Sequence, residues 1–210
     1  MALPKRLSRS VLDFFMLIGE HWKFSMNDSR VGHLAVPHMH PLMVLVELWR
    51  SQGLDVPNPD PNDGGVKAKA LFLLESPGPK AVGTGFISRD NPDPSAKNMG
   101  DALAISGIAR ASSLLWNIVP YCVSTIGRNK NASAAQIRAA AGYTQEFINL
   151  LPDLRAVVFC GRRAQIARPH LKIDCEVFET FHPGAMAYNH QRCKDHMHAT
   201  FTAVSRQISN

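Results

Sequence analysis

Residues 71–79 read LFLLESPGP. A run of large apolar residues ends in a carboxylate, a hydroxyl and a Pro-Gly-Pro corner. A finishing strand needs a turn, which Pro77 and Gly78 supply. It does not need Glu75 and Ser76 where the chain leaves the core. Two readings stay open here. Glu75 is a solvated strand-end charge beside a turn-forming serine, or the pair belongs to a site at the carboxyl edge of a parallel strand, where α/β proteins build them.

The rhythm recurs downstream. Short apolar runs stand at AKALFLL (68–74), SSLLWNIVPY (112–121), RAVVFC (155–160) and CEVFETF (175–181), with helix-like segments between them. The best of these helices is SAAQIRAAAGYTQEFINLL (133–151). Strands alternating with helices imply the α/β class, here a four-stranded parallel sheet covered on both faces. Glu75-Ser76-Pro77-Gly78 follows the first run, Asn117 and Pro120 close the second, and GRRAQIA (161–167) and HPGAMAYN (182–189) follow the third and fourth. In a parallel sheet all four lie at one edge. One crevice there would receive a carboxylate, an amide, basic residues and an imidazole.

Before the first run the chain changes character. PLMVLVELWRSQG (41–53) predicts a helix opened by proline and closed by glycine, and Val11, Phe14, Phe15 and Ile18 mark one face of an earlier amphipathic helix. VPNPDPNDGG (56–65) reads as a connecting loop. With 210 residues the chain is expected to form a single domain (1–210), of which 1–66 is a mainly helical N-terminal extension packed on it.

A net charge of +6 suits a polyanionic partner without identifying one. No apolar run is long enough to span a membrane, and Asp13 and Glu20 interrupt the only stretch resembling a secretory signal. Cys122, Cys160, Cys175 and Cys193 form no Cys-x-x-Cys pair, which argues against a zinc finger or a disulfide scaffold and for reduced, cytoplasmic thiols. HQRCKDHMH (190–198) invites a metal reading. Met197, Phe201, Val204 and Ile208 instead mark a helix whose apolar stripe separates His196 from His198. No metal is expected.

At these motifs the chain resembles the uracil-DNA glycosylase superfamily, roughly from Ala68 to Phe201. LESPGP is similar to that family's strand-end first motif, and LLWNIVP to the strand carrying its uracil-reading asparagine. VVFCGRRA resembles a strand-Gly-x-x-Ala step leading to DNA phosphate, and FHPGAMAYN a His-Pro-Ser motif with the intercalating loop after it. The resemblance implies a three-layer α/β/α sandwich around a central four-stranded parallel sheet. There are departures. Leu74 replaces the usual Gly, Ser76 a water-positioning Asp, Gly78 a Tyr that excludes the thymine methyl, and Gly184 the Ser of His-Pro-Ser. The Glu-x-Pro-Gly turn is closest to an iron–sulfur branch, but the paired N-terminal cysteines are missing. The chain therefore resembles a divergent, cluster-free branch, and no cofactor is expected.

The resemblance implies a role for each residue. Asn117 would read uracil, its carbonyl accepting from N3–H and its amide donating to O4; a turn-making asparagine would also sit there. His182 would donate to uracil O2 as negative charge gathers on it, with help from peptide N–H groups near Glu75 and Ser76. Glu75, or else Ser76, would hold the water. Phe86 would stack on the extruded base or simply pack in the core. Pro77 and Gly78 would line the base pocket. Arg162, Arg163, Gly161 and Gly184 would contact DNA, and Met186 would fill the hole left by a flipped nucleotide.

The leading expectation is a monomeric, monofunctional enzyme that hydrolyses the N-glycosidic bond of deoxyuridine in DNA, with uracil-containing and abasic-site DNA as partners. Two alternatives stand beside it: a protein of the same fold that binds uracil or abasic DNA with little turnover, and a Rossmann-like small-molecule enzyme using the same edge.

Overall fold

The computed structural model describes residues 29–34, 36–124 and 130–209, and the expected helix through Val11 to Ile18 lies outside them. In chain order the elements begin with α1 (His40–Ser51), β1 (Asn58–Pro59), β2 (Ala70–Leu74), α2 (Pro79–Thr84), β3 (Phe86–Ile87) and α3 (Pro94–Ile105). They continue with β4 (Ser113–Asn117), α4 (Ala134–Asn149), β5 (Ala156–Cys160), α5 (Arg162–Gln165), β6 (Glu176–Thr180), α6 (Ala185–Tyr188) and α7 (Gln191–Ser209). The four apolar runs form one sheet in the order β4-β2-β5-β6, every pair parallel. The strand order reverses beside β2, and crevices form at such reversals.

Register fixes what each face carries. Leu73 stands opposite Trp116, and Phe72 opposite Leu115 and Val158. Because side chains alternate along a strand, these are two different faces. On the first, Trp116 stacks on Phe147 of α4, centroids 4.1 Å apart, and Trp49 of α1 joins at 6.4 Å. On the second, Phe72 meets Phe201 of α7 edge-on at 4.9 Å. Helices therefore cover both faces, giving three layers. Ser133 starts α4 with a reciprocal capping box on Gln136.

Along α7 the buried residues are Met197, Phe201, Val204 and Ile208, as the spacing predicts. His196 reaches Thr180 and His198 reaches the Tyr188 hydroxyl, so the two rings serve separate partners. Among the described residues no helix is long and apolar enough to cross a membrane.

Residues 56–65 need correction. They are more than a connecting loop: nearly all are buried, β1 pairs with β3 inside a parallel two-residue ribbon, and the Gly64 N–H donates to Ser113 O at 2.9 Å along the outer side of β4. The segment covers what would be a bare sheet edge. Its acidic residues are buried with arginines from elsewhere in the chain. Asp60 meets Arg110 at 2.8 Å and Arg30 at 3.5 Å, while Asp63 meets Arg110 at 3.0 Å and Arg89 at 3.2 Å. Burial, with Asp60 close by, pushes the Asp63 carboxyl up to about 7 against the pull of both arginines.

Candidate active site

At the carboxyl edge of the sheet lies a cavity of about 450 Å³, within the range of roughly 300–1,000 Å³ usual for small-molecule sites. Ser76, Pro77 and Gly78 from the β2 turn, Asn117 from the end of β4 and His182 from beyond β6 all line it. The parallel register brings them together. Asn117 pairs with Leu74 across the sheet, and the ladder runs on past both strands through Ile118 N–H to Leu74 O at 2.9 Å. Asn117 is only 4% exposed, and none of the described residues hydrogen-bonds its side-chain amide. A buried amide left to face a cavity is a ready reader of a polar ligand.

His182 has one tautomer imposed on it. The Gly184 N–H donates to His182 Nδ1 at 2.9 Å, so Nδ1 must be the acceptor and Nε2 carries the proton. Burial pushes its pKa below the ordinary value, and the nearby Asp93 pulls weakly the other way. The imidazole is thus a neutral N–H donor. Gly184 also leaves room for the ring: a Cβ there would fall 2.9 Å from Nδ1.

Gly161 has a packing reason to be glycine. Its φ is +97° with ψ 157°, a region open essentially to glycine alone, and a Cβ would lie 2.9 Å from the His182 Cβ. Gly161→Ala is expected to cost roughly 1–3 kcal/mol of stability and to lower turnover by displacing His182. A melting curve and a rate at the same temperature check it; an unchanged pair would remove this constraint.

Two expected site residues lie elsewhere. Side-chain alternation carries Glu75 to the α4 face, opposite the cavity-lining Leu74. Its carboxylate accepts the Ala132 N–H just before the α4 cap, and it is not among the cavity-lining residues. Burial raises its pKa, with the Ala132 bond and Arg163 opposing. Phe86 is fully buried with the Arg30 guanidinium 4.3 Å from its ring centroid. It is Ile87, the next residue, that lines the cavity.

The outer residues stand where a large ligand would meet them. Met186, on α6 beyond His182, is 87% exposed. Arg162 and Arg163 open α5 and are exposed, as is Lys80 at the cavity mouth.

The segment NPDPS (91–95), outside the four strand-end motifs, also contributes to the cavity. Asp93 caps α3, its Oδ1 accepting from Ser95 N–H at 2.9 Å and Ala96 N–H at 3.0 Å, and Asn91, Asp93 and Ser95 line the cavity. Asn98 of the same helix donates to Pro183 O at 2.7 Å, tying α3 to the histidine segment. The signal was available, since Asp followed by Pro is a helix start.

The fold is α/β, with a cavity at the switch point of the sheet lined by an amide and a neutral imidazole. The chain belongs to the uracil DNA glycosylase superfamily, whose family model matches residues 61–204. That membership supports a DNA glycosylase type of function. A similar solved structure is a tyrosine-to-phenylalanine variant of mimivirus UNG in complex with UGI, 13% identical over 88% of this chain and 73% of that one, with a TM-score of 0.39. No curated protein sequence matches.

Proposed function

We propose that this chain is a monofunctional uracil-DNA glycosylase, releasing free uracil from DNA and leaving an abasic site, and that it works as a cytoplasmic monomer without a cofactor. The observation that carries this is the pairing of Asn117 and His182 in one cavity, with the histidine fixed as a neutral donor. Asn117 would accept from uracil N3–H and donate to O4. Cytosine presents the opposite pattern, and each buried mismatch costs roughly 1–3 kcal/mol. As the C1′–N1 bond breaks, its electron pair moves into the base and charge grows on O2. A hydrogen bond from His182 Nε2 strengthens as that charge grows, which lowers the barrier rather than merely tightening binding. Pro77 and Gly78 would shape the base pocket, and Arg162, Arg163 and the excess positive charge would hold phosphates.

The test is release of free uracil from a labelled oligonucleotide, single-stranded and duplex. A second reading, binding of uracil or abasic DNA with little turnover, is favoured by one observation: the β2 turn offers Ser76 to the cavity while the Glu75 carboxylate is engaged on the other face. Tight binding without uracil release would select it.

Met186→Ala should reduce turnover on duplex DNA several-fold more than on single strands. Flipping a nucleotide from a duplex leaves a gap in the stack, at a cost of a few kcal/mol, and an exposed apolar wedge offsets part of it. The measurement is the duplex to single-strand rate ratio. An unchanged ratio would deprive the loop of this role.

A further inference from the structure

Hydrolysis of an N-glycosidic bond makes two demands. The departing base must be stabilised as an anion, and the sugar, which turns oxocarbenium-like, needs a negative neighbour and an oriented water. His182 and Asn117 address the first. The second lacks an obvious answer in the β2 turn, because Ser76 carries no charge and Glu75 is bound to Ala132 N–H on the opposite face.

One carboxylate does stand among the cavity-lining residues, and it comes from a different segment: Asp93. Its Oδ1 is occupied by two backbone N–H groups of α3, which fix the orientation of the whole group. No described residue hydrogen-bonds Oδ2. The same segment is tied to the histidine loop through Asn98 and Pro183 O, and Ser95 Oγ lies 3.6 Å from where a Gly184 Cβ would be. Asp93 and His182 thus belong to one rigid wall, close enough for the aspartate charge to act on the imidazole.

We propose that Asp93 is the catalytic carboxylate of this site, with Oδ2 orienting the attacking water and stabilising the cationic sugar while Oδ1 caps α3. This rests on the glycosylase reading and names its missing group. The step balances. The C1′–N1 bond breaks with its electron pair going to uracil, and water oxygen bonds to C1′. The water proton passes to Asp93 Oδ2 and then, through solvent, to the uracil anion. The products are neutral uracil and the abasic hemiacetal.

Asp93→Asn and Asp93→Ser test it, because asparagine, serine and aspartate cap helices about equally well. Both variants should melt close to the parent. In single-turnover assays on single-stranded uracil DNA both should lose about 100-fold or more in rate. A second measurement needs no turnover. DNA carrying a cationic pyrrolidine in place of the target sugar should bind the parent more tightly than DNA carrying a neutral tetrahydrofuran, and both variants should lose that preference. Variants that keep the preference and stay within about threefold of the parent rate would overturn the proposal alone. A parent that releases no uracil yet prefers the cationic sugar through Asp93 would overturn the turnover reading and support the carboxylate. A parent with neither property would overturn both.

Discussion

His182→Ala is expected to lower single-turnover uracil release by about 100- to 1,000-fold, the usual effect of removing one donor to a developing oxyanion, while DNA binding stays largely intact. The selectivity of the effect follows from the geometry. Nδ1 is taken by the Gly184 N–H, so only Nε2–H is free to act, and it acts on charge that is absent in the ground state. Loss of the Gly184 bond should cost roughly 1 kcal/mol of stability, far too little to explain such a rate. A rate within twofold of the parent would remove His182 from leaving-group stabilisation. Stability should also respond to pH. Burial holds the folded-state pKa of His182 below its ordinary value of 6.5, so on acidification the unfolded chain takes up the proton first. The contribution is complete above about pH 6.5, and it is lost as pH falls from there through the folded pKa. The alanine variant should lack that part of the acid destabilisation, which melting curves across the range would reveal.

Asp60→Ala is expected to cost roughly 3–5 kcal/mol, a fall in melting temperature on the order of 10 °C for a chain of this size. Asp60 is wholly buried and touches Arg30, Arg110, Ser88 Oγ and the Asn62 N–H. Three arginines, Arg30, Arg89 and Arg110, share three aspartates, Asp60, Asp63 and Asp90. Removing one carboxylate leaves a surplus positive charge beside the largely buried Arg30 and the partly exposed Arg110, and the ribbon of β1 and β3 loses its anchor. A drop below about 1 kcal/mol would mark the network as the solvent-screened kind.

The sheet was legible because buried parallel strands are continuous apolar runs, and β2, β4 and β5 are nearly all buried. Even the half-exposed edge strand β6 showed itself through Val177 and Phe178. Asn117 and His182 were legible as polar residues at strand ends. The placement of Glu75 was not legible because its face depends on register: once Asn117 pairs with Leu74, alternation sends the next residue to the other side. The burial of residues 56–65 was hidden for another reason. Its aspartates are neutralised by Arg89 and Arg110, partners that no local pattern connects to them. Asp93 lay hidden within a helix start, where a cap explains an aspartate completely.

The order of the strands also governs when this protein can come into being on the ribosome. β2 is central, and it joins β4 on one side and β5 on the other, Ala70 meeting both Ser113 and Ala156. Such distant pairings fold slowly and only after the later partner has been synthesised. The histidine emerges later still, beyond β6, which pairs with β5 alone. A nascent chain therefore exposes its most apolar strand long before the cavity at the sheet edge is complete, and it becomes vulnerable to aggregation well before that cavity can form.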